Sequence, residues 1–445
     1  MRTTQKEMGI KEARKPAATE AYSLSPTLLR AQSSTYPSPL VFHHRFLGWT
    51  IALLCSSAFY IGPGLLFAPF IIYLTLSPKA ALWCFFINLI LIFYPNQQWP
   101  YIRGFFQLFY ELFHFRHNIT GETNKIFERQ NHLSILAVHP HGVIPIHSFI
   151  HSAFIDQNLP SLYGVAATTD AAQRLPVLRQ LLVWLSGTSA NRKNIKREMQ
   201  INNQNLYILP GGVAEIFYSR RMKADCETEG VESSRCRSGS RNKANGGSGA
   251  SNNCNHPTGK THYIKGKRYG LMKLALQTGS LIVPCYAFGG TEFYDQIATI
   301  GMDDNTHVNN HDSNKMNREK KESKSTSSKS SYIKSCCTLF GKLLQRISRR
   351  MKGGITFYWG QYYTPMPYPA EISIVLGDPI VPVIGTLGDE TNGTGKNRKR
   401  TCKKIDNPTP EQVEELMSRY IDSMERLFDQ YKHQAGYGND VLKVI

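Results

Sequence analysis

Residues 46–94 carry one charged side chain, Lys79, and this feature constrains the fold more than any other part of the sequence. A helix needs about 20 apolar residues, at a rise of about 1.5 Å each, to cross the hydrocarbon core of a bilayer. An uncharged stretch of this length is costly to bury in a soluble core, so we interpret it as embedded in a membrane. Arg45 and Arg103 flank it, and basic flanks favour a cytosolic location for both ends.

The sequence leaves the number of membrane helices open. Residues 46–76 are long for one helix and contain Gly62-Pro63-Gly64, whereas residues 80–94 are short for a complete span. Three arrangements fit: a two-helix hairpin that turns near residues 77–79, a re-entrant pair in one leaflet, and three short pieces with the Gly-Pro-Gly segment as a turn. We predict a membrane-embedded hairpin over residues 45–96.

From residue 97 onward, apolar runs of strand length alternate with helical patterns. Strands are predicted at residues 133–138, 162–167, 205–209, 281–287 and 371–376, and helices at residues 143–155, 176–185 and 269–278. The last helix begins at Thr409-Pro410-Glu411-Gln412, a capping box with proline at the first helical position. This alternation predicts an α/β domain with a central sheet over residues 97–445.

Four segments without such patterns are predicted to be disordered. They are an N-terminal arm, residues 1–44, and three loop insertions, residues 222–262, 303–335 and 386–407. Segments with few apolar residues cannot bury enough surface to fold, and a longer loop costs little extra closure entropy.

The formal charge of +19 suggests an anionic partner, although much of it lies in the low-complexity residues 317–334 and 396–404. Nucleic acid, an anionic membrane surface and an anionic substrate all fit a basic surplus. The uncharged stretch and the lack of an RNP-type motif argue against nucleic acid. The nine cysteines show neither metal-ligand spacing nor a disulfide framework, which predicts a reducing compartment and no metal site.

The segment His139-Pro140-His141-Gly142 follows the first predicted strand directly. Histidine is the side chain best suited to accept a proton near neutral pH. Ligands in open α/β sheets bind beyond the carboxyl ends of strands. We therefore interpret this segment, hereafter the histidine corner (residues 139–142), as a candidate catalytic site.

Two further polar segments follow strands. Arg174 and Arg179 bracket the start of a helix, and Gly211-Gly212 precedes Glu215. Taken separately, these are also typical of surface charges, of an ordinary turn and of a first-turn carboxylate. Taken with the histidines, they supply the base, the carboxylate and the close-approaching backbone donors that acyl transfer requires.

In this order and spacing, the segments resemble the type 2 diacylglycerol acyltransferase family, which includes the monoacylglycerol and wax-alcohol acyltransferases. The resemblance extends over residues 46–445 apart from the insertions. The matching segments are His139-Pro140-His141-Gly142, Arg174-x-Pro176-x-x-Arg179, Gly211-Gly212-x-x-Glu215 and residues 267–279, 283–289, 375–380 and 420–432.

Two departures from the family pattern bear on the site. Gly289-Gly290-Thr291-Glu292 stands where the family commonly has Gly-Glu-Asn-Glu. The wider glycerolipid acyltransferases have an aspartate shortly after the histidine, and this sequence has isoleucine at the corresponding positions 144 and 146. Glu215 is therefore our candidate to orient the base through space.

The resemblance implies a glycerolipid-acyltransferase-like α/β domain with a mixed central sheet, preceded by the hairpin. It implies transfer of an acyl group from acyl-CoA, a co-substrate, to diacylglycerol, with no cofactor and no metal. Monoacylglycerol or a wax alcohol is the alternative acceptor, and a non-enzymatic lipid-binding protein is a weaker alternative. The implied partners are acyl-CoA, diacylglycerol and the bilayer, and whether the chain forms a homo-oligomer stays open. The implied location is the endoplasmic reticulum membrane, with the catalytic domain facing the cytosol, or lipid droplets.

The resemblance also assigns residues to roles. His141 is the implied general base, with His139 and Glu215 as further catalytic residues, and which histidine takes the proton stays open. The implied substrate-binding residues are Pro140, Gly142, Arg174, Pro176, Arg179, Gly211, Gly212, Lys273 and Glu292.

Overall fold

The computed structural model describes residues 28–95, 97–119, 127, 131–219, 260–297, 328–351, 353–383 and 401–445. Most of the four segments predicted to be disordered, residues 1–44, 222–262, 303–335 and 386–407, lies outside these ranges. Where their margins are described, they include a two-residue strand at Leu29–Arg30, the start of a strand at Thr261–Ile264 and the start of a helix at Ser328–Met351.

The uncharged stretch folds as a helical hairpin. Helix α1 (Phe42–Thr75) is joined by a tight turn to helix α2 (Pro78–Phe93). The side chain of Ser77 caps α2 by accepting a hydrogen bond from the backbone N–H of Ala80, and Pro78 occupies its first turn. Among the described residues, α1 alone is long and apolar enough to cross a membrane, by length and composition.

The Gly-Pro-Gly segment does not break α1, so the three-piece arrangement is wrong. Pro63 lies inside the continuous helix. The glycine before it has a packing role, because a Cβ atom on Gly62 would lie 3.0 Å from the carbonyl oxygen of Pro176. This glycine lets α1 approach the soluble domain closely.

The strands form one large sheet and two small ones. In chain order they are β1 (Leu29–Arg30), β2 (Arg116–His117), β3 (Ser134–His139), β4 (Gly164–Thr168), β5 (Gly187–Ser189), β6 (Asn205–Ile208), β7 (Thr261–Ile264), β8 (Leu281–Phe288), β9 (Asp295–Gln296), β10 (Tyr358–Trp359), β11 (Ser373–Leu376) and β12 (Val441–Val444). The large sheet has the order β1-β2-β11-β8-β3-β6-β4-β5. Strands β8, β3, β6, β4 and β5 are parallel, and β11 is antiparallel to β8. The prediction of an α/β fold with a mixed central sheet is confirmed.

Helices cover both faces of this sheet. After the hairpin they are α3 (Ile102–Phe106), α4 (Leu108–Leu112), α5 (Ile146–Asn158), α6 (Leu178–Trp184), α7 (Arg192–Gln200), α8 (Val213–Tyr218), α9 (Tyr269–Thr278), α10 (Ser328–Met351) and α11 (Pro410–Tyr431). An apolar core lies on each face of the sheet, and the side chains of β3 point alternately into one and the other. Leu136 packs with the hairpin, α5 and α6, whereas Ile135 packs with α7, α9 and α11.

The strongest local signals in the sequence are confirmed. The capping box of α11 is formed at Thr409, and Gly279 ends α9 with a left-handed backbone. Gly187 follows the end of α6 and begins β5, a strand that the sequence did not predict. Helix α7 was not predicted: only Ile195 and Met199 are buried on it, so its apolar pattern is weak.

Candidate functional site

The predicted polar segments meet at one edge of the sheet. Strands β3, β6 and β8 are neighbouring and parallel, so their carboxyl ends lie side by side. The histidine corner ends β3, Gly211 and Glu215 follow β6, and Gly290 follows β8. The edge therefore combines imidazole, carboxylate and glycine backbone in one place.

Glu215 is the centre of this site. Its carboxylate is buried and accepts a hydrogen bond at Oε1 from Nδ1 of His139 at 2.6 Å. The backbone N–H groups of His141 and Lys265 donate to its two oxygens, each at 2.8 Å. Burial alone would raise the pKa of Glu215, but the charge and hydrogen bond of His139 and the two backbone donors hold it below its ordinary value. The site thus contains a buried carboxylate that stays ionised.

Glu215 contacts both histidines of the corner through space. Its carboxylate binds the ring of His139 and the backbone N–H of His141. It therefore orients the His139 ring directly and the turn at His141 through the backbone.

The ring of His141 is fixed by the next residue. Its Nδ1 lies 2.8 Å from the carbonyl oxygen of Gly142, and because a carbonyl only accepts, Nδ1 carries the proton. This tautomer leaves a lone pair on Nε2. Burial lowers the pKa of His141 below its ordinary value, against the opposing effects of this hydrogen bond and of the charge of Glu215. The ring is therefore neutral near pH 7 and able to accept a proton at Nε2.

His139 is placed differently from His141. Its side chain is completely buried, whereas His141 is only partly buried. Nε2 of His139 has no hydrogen-bond partner among the described residues. The peptide between His139 and Pro140 is cis. His141 is therefore the more exposed histidine of the pair.

Two glycines permit the close approach of these groups. A Cβ atom on Gly211 would lie 1.7 Å from Cδ of Glu215, so the carboxyl group occupies the space where a side chain would be. Gly142 has a φ of 72°, and a Cβ atom there would lie 2.5 Å from the carbonyl oxygen of Gly290. Glycine is required at both positions.

The backbone N–H groups of His141, Gly142, Gly211 and Gly212 differ in whether they have a partner. The N–H of His141 is used by Glu215, and that of Gly212 donates to the carbonyl of Leu209. No described residue accepts a hydrogen bond from the N–H groups of Gly142 or Gly211. Both glycines are buried, so within the described part of the chain these two N–H groups are unpaired donors inside the edge of the sheet.

Arg268 belongs to the site and was missed as a site residue. Its Nη2 donates to the carbonyl oxygen of Gly211 at 2.5 Å, and its Nε is buried with no partner among the described residues. Burial lowers the pKa of its guanidinium, and the charge of Glu215 opposes this. Arg268 lies in the matching segment 267–279, but nothing in the sequence marked it above its neighbours.

The predicted cationic residues are spread apart. Arg174 is exposed, and its side chain makes no hydrogen bond or ion pair with the described residues. Arg179 donates from Nη1 to the carbonyl of Tyr94 at 2.9 Å, which ties α6 to the end of α2. Lys273 is half-buried in α9, and Glu292 lies in the turn after β8, near the corner. The buried Pro176 contacts the hairpin at Gly62.

Other histidines lie behind the corner, on and beside α5. His147 is completely buried, and neither ring nitrogen has a hydrogen-bond partner among the described residues. Burial lowers its pKa to about 3, with His141 acting in the same direction. His151 and His117 approach each other through their Nε2 atoms at 3.2 Å, and burial lowers the pKa of His117 to about 3. In the part of the chain that the structure describes, no group of three or more metal-ligating side chains is arranged to hold a metal ion.

An apolar cavity of about 640 Å³ lies between the hairpin and α6. Its walls come from residues 47–55 of α1, 90–94 at the end of α2, 99–106 and 177–184. Gln180 donates to the carbonyl of Leu91, while its side-chain oxygen is buried without a partner among the described residues. A smaller cavity of about 80 Å³ begins at Pro145, just beyond the corner. Phe106 lines the larger cavity and Phe149 lines the smaller one, and the centroids of their rings lie 5.6 Å apart.

The comparison with known proteins agrees with the resemblance. The sequence profile of the family described as Diacylglycerol acyltransferase matches residues 96–236 and 236–316. The chain belongs to this family. The matched residues of this diacylglycerol acyltransferase family member include the histidine corner, Glu215 and Arg268.

Individual relatives are distant but cover much of the chain. It is 26% identical to Diacylglycerol O-acyltransferase 2-like protein 6 of Mus musculus over 323 residues. This aligned region covers 69% of this chain and 68% of that protein. It is 24% identical to Diacylglycerol O-acyltransferase 2 of Xenopus tropicalis (78% and 71% covered). It is 25% identical to Acyl-CoA wax alcohol acyltransferase 2 of Mus musculus (70% and 69% covered). No solved structure matches.

Proposed function

We propose that the protein is an acyltransferase that esterifies the free hydroxyl of diacylglycerol with an acyl group from acyl-CoA, producing triacylglycerol. The family membership supports this reaction class. The observation that carries the chemistry is the neutral His141 ring, with Nδ1 bonded to a carbonyl and Nε2 able to accept a proton.

In the proposed reaction, Nε2 of His141 takes the proton from the acceptor hydroxyl as its oxygen attacks the thioester carbonyl carbon. A carbon–oxygen bond forms and a tetrahedral oxyanion results. The carbon–sulfur bond then breaks, and the proton on His141 passes to the leaving CoA sulfur. The balance needs no cofactor, metal or covalent acyl-enzyme.

Glu215 and two backbone donors support these steps in the proposal. Glu215 fixes the position of His141 through its backbone N–H, and it holds His139 beside it. An imidazolium that forms at the corner is stabilised by this buried negative charge. We assign the oxyanion to the N–H groups of Gly142 and Gly211, which have no partner among the described residues.

The cavities supply room for the apolar parts of the substrates. The larger cavity lies between the hairpin and α6, and α6 begins at the same sheet edge as the corner, because it follows β4. Its volume of about 640 Å³ is within the usual range for a bound lipid-sized ligand. We assign it to an alkyl chain, and we assign Arg268 and the exposed Arg174 to the phosphates of CoA. Lys273, and the N–H groups of Arg179 not used by Tyr94, are further candidates.

The hairpin would place this site at a membrane. Large apolar side chains along it are exposed, among them Phe67 (66%), Phe70 (65%) and Trp83 (71%). Burying them in a bilayer removes this surface from water. We propose that the hairpin lies in the endoplasmic reticulum membrane with the catalytic domain on its cytosolic side, with lipid droplets as a second location.

The test is an assay of microsomes with labelled acyl-CoA and diacylglycerol. His141→Ala should reduce the rate by about 10²-fold or more, because it removes the general base. Glu215→Gln should also reduce the rate, because both carboxylate oxygens accept hydrogen bonds and an amide has only one oxygen. His139→Ala is the matched comparison. If His139→Ala abolishes turnover while His141→Ala keeps it, the roles of the two histidines are reversed. Full activity of both variants would refute the mechanism.

Acceptor choice is tested in the same assay. We expect diacylglycerol to be preferred when monoacylglycerol and a long-chain alcohol compete with it at equal concentration. A wax-ester product in excess would assign the protein to the wax-alcohol branch, which the relative from Mus musculus represents.

A further inference from the structure

Helix α10 presents three different faces along its described side chains. Gly341, Leu344 and Ser348 are buried and fix the helix to the domain. These residues are three and four positions apart, so they form one narrow face. The other described side chains of the helix are exposed, apart from the half-buried Gln345.

A stripe of apolar side chains lies next to the buried face. At about 100° per residue, its members cover roughly a third of the helix circumference. They are Leu339 (66% exposed), Phe340 (40%), Leu343 (50%), Ile347 (38%) and Met351 (59%). Five exposed apolar side chains in one stripe form a patch rather than scattered surface residues.

Exposed basic side chains border this stripe on the side away from the buried face. They are Lys342, Arg346 and Arg349, and the exposed Arg350 lies at the same edge, between Leu339 and Leu343 around the helix. The sequence of α10 contains no aspartate or glutamate. The helix therefore pairs an apolar stripe with positive charge alone, the pattern of helices that lie in the interface of an anionic bilayer.

The stripe continues toward the hairpin. Phe340 stacks on Phe357, which is 50% exposed. The next residue, Tyr358, stacks on Tyr60 of α1 with ring centroids 4.5 Å apart, and its backbone N–H donates to the Tyr60 hydroxyl at 2.8 Å. The residue after Tyr60 is Ile61, one of the exposed apolar side chains of α1.

We propose that α10 is a second membrane contact, in which the apolar stripe enters the interface of an anionic bilayer and the basic side chains bind lipid phosphates. The helix lies outside the residues that match the family profile. Continuity with the exposed face of the hairpin and the absence of acidic residues identify the bilayer as the occupant. This contact would fix the orientation of the domain on the membrane.

The experiment uses the full chain in lipid nanodiscs. An environment-sensitive fluorescent amino acid replaces Leu343, and quenching by lipids brominated on their acyl chains is measured. The matched control carries the same probe at Ile201, an exposed apolar residue (76%) at the end of α7, on the opposite face of the sheet. Discs contain phosphatidylcholine, either alone or mixed with phosphatidylserine.

We expect quenching at position 343 to exceed that at position 201 several-fold in the anionic discs. The triple variant Arg346→Gln, Arg349→Gln, Arg350→Gln should reduce it at least about twofold there, because each basic residue near an anionic surface adds to binding. The same variant should change little in discs of phosphatidylcholine alone. Acyltransferase activity of the same discs, measured in parallel, reports on the proposed function independently.

Three results would overturn the proposal. Equal, weak quenching at positions 343 and 201 would show that the stripe does not reach lipid. Blue-shifted emission without bromine quenching would show that it is covered by protein, such as a second copy of the chain. An unchanged signal in the triple variant in anionic discs would remove lipid phosphate as the binding partner.

Discussion

Replacing His147 with methionine should make the fold less sensitive to acid. Burial lowers the pKa of His147 to about 3, whereas histidine in an unfolded chain has a pKa of about 6.5. Below pH 6.5 the unfolded chain takes up a proton at this position that the folded chain does not. The contribution of His147 to stability is therefore complete above pH 6.5 and is lost as the pH falls toward 3.

The size of the effect follows from this interval. Each bound proton changes the free energy of unfolding by about 1.4 kcal/mol per pH unit, so an interval of roughly 3.5 units corresponds to about 5 kcal/mol. Domains are typically stable by about 5–15 kcal/mol. His117, with a pKa also lowered to about 3, adds a second term of the same size. The parent protein should unfold well above pH 3.

The assay is urea unfolding in a mild detergent, followed by tryptophan fluorescence, at several pH values between about 7 and 4. His147→Met should reduce the slope of the unfolding free energy against pH by about 1.4 kcal/mol per unit, the effect of one proton. His433→Gln removes an exposed imidazole and is the matched control. An unchanged slope in His147→Met would show that the buried ring is already protonated in the fold and would refute the reasoning.

Gly211→Ala should displace the carboxyl group of Glu215, because the added carbon would lie 1.7 Å from its Cδ; we expect a loss of activity of about 10²-fold. In Gly212→Ala the added carbon meets nothing within 4 Å, so only backbone strain of about 1–3 kcal/mol is expected, which thermal unfolding in detergent measures. Equal activity of the two variants would contradict the packing argument. Arg179→Ala should loosen α6 from the end of α2, at a cost of about 1 kcal/mol, and increase limited proteolysis between residues 94 and 101. Arg174→Ala is its exposed control, and equal cleavage of both variants would exclude this tether.

Local signals in the sequence predicted the positions of the main strands and of the best-capped helices. The parallel order then follows from alternation of strand and helix, and it brings the ends of β3, β6 and β8 together. This is why residues as distant as His139 and Glu215 could be assigned to one site from the sequence. Their pairing is a consequence of topology.

The details of the site depend on contacts that no local pattern encodes. The choice of His139 as the ring partner of Glu215 depends on how the chain turns after β3. The donor at Lys265 reaches the carboxylate from 50 residues away. Arg268 is one basic residue among neighbours, and its contact with Gly211 appears only when β7 and α9 are in place.

The close packing of α1 has a practical consequence. Its buried Ser56 bonds to Tyr294 through the hydroxyl groups, and its backbone carbonyl accepts from the hydroxyl of Tyr358. The hairpin is thus a structural part of the catalytic unit rather than a detachable anchor. A water-soluble fragment that starts after residue 96 would have exposed rings at Phe106 and Phe113 and would lack one wall of the cavity. We therefore expect production of this enzyme to require the hairpin and a lipid or detergent environment from the first step.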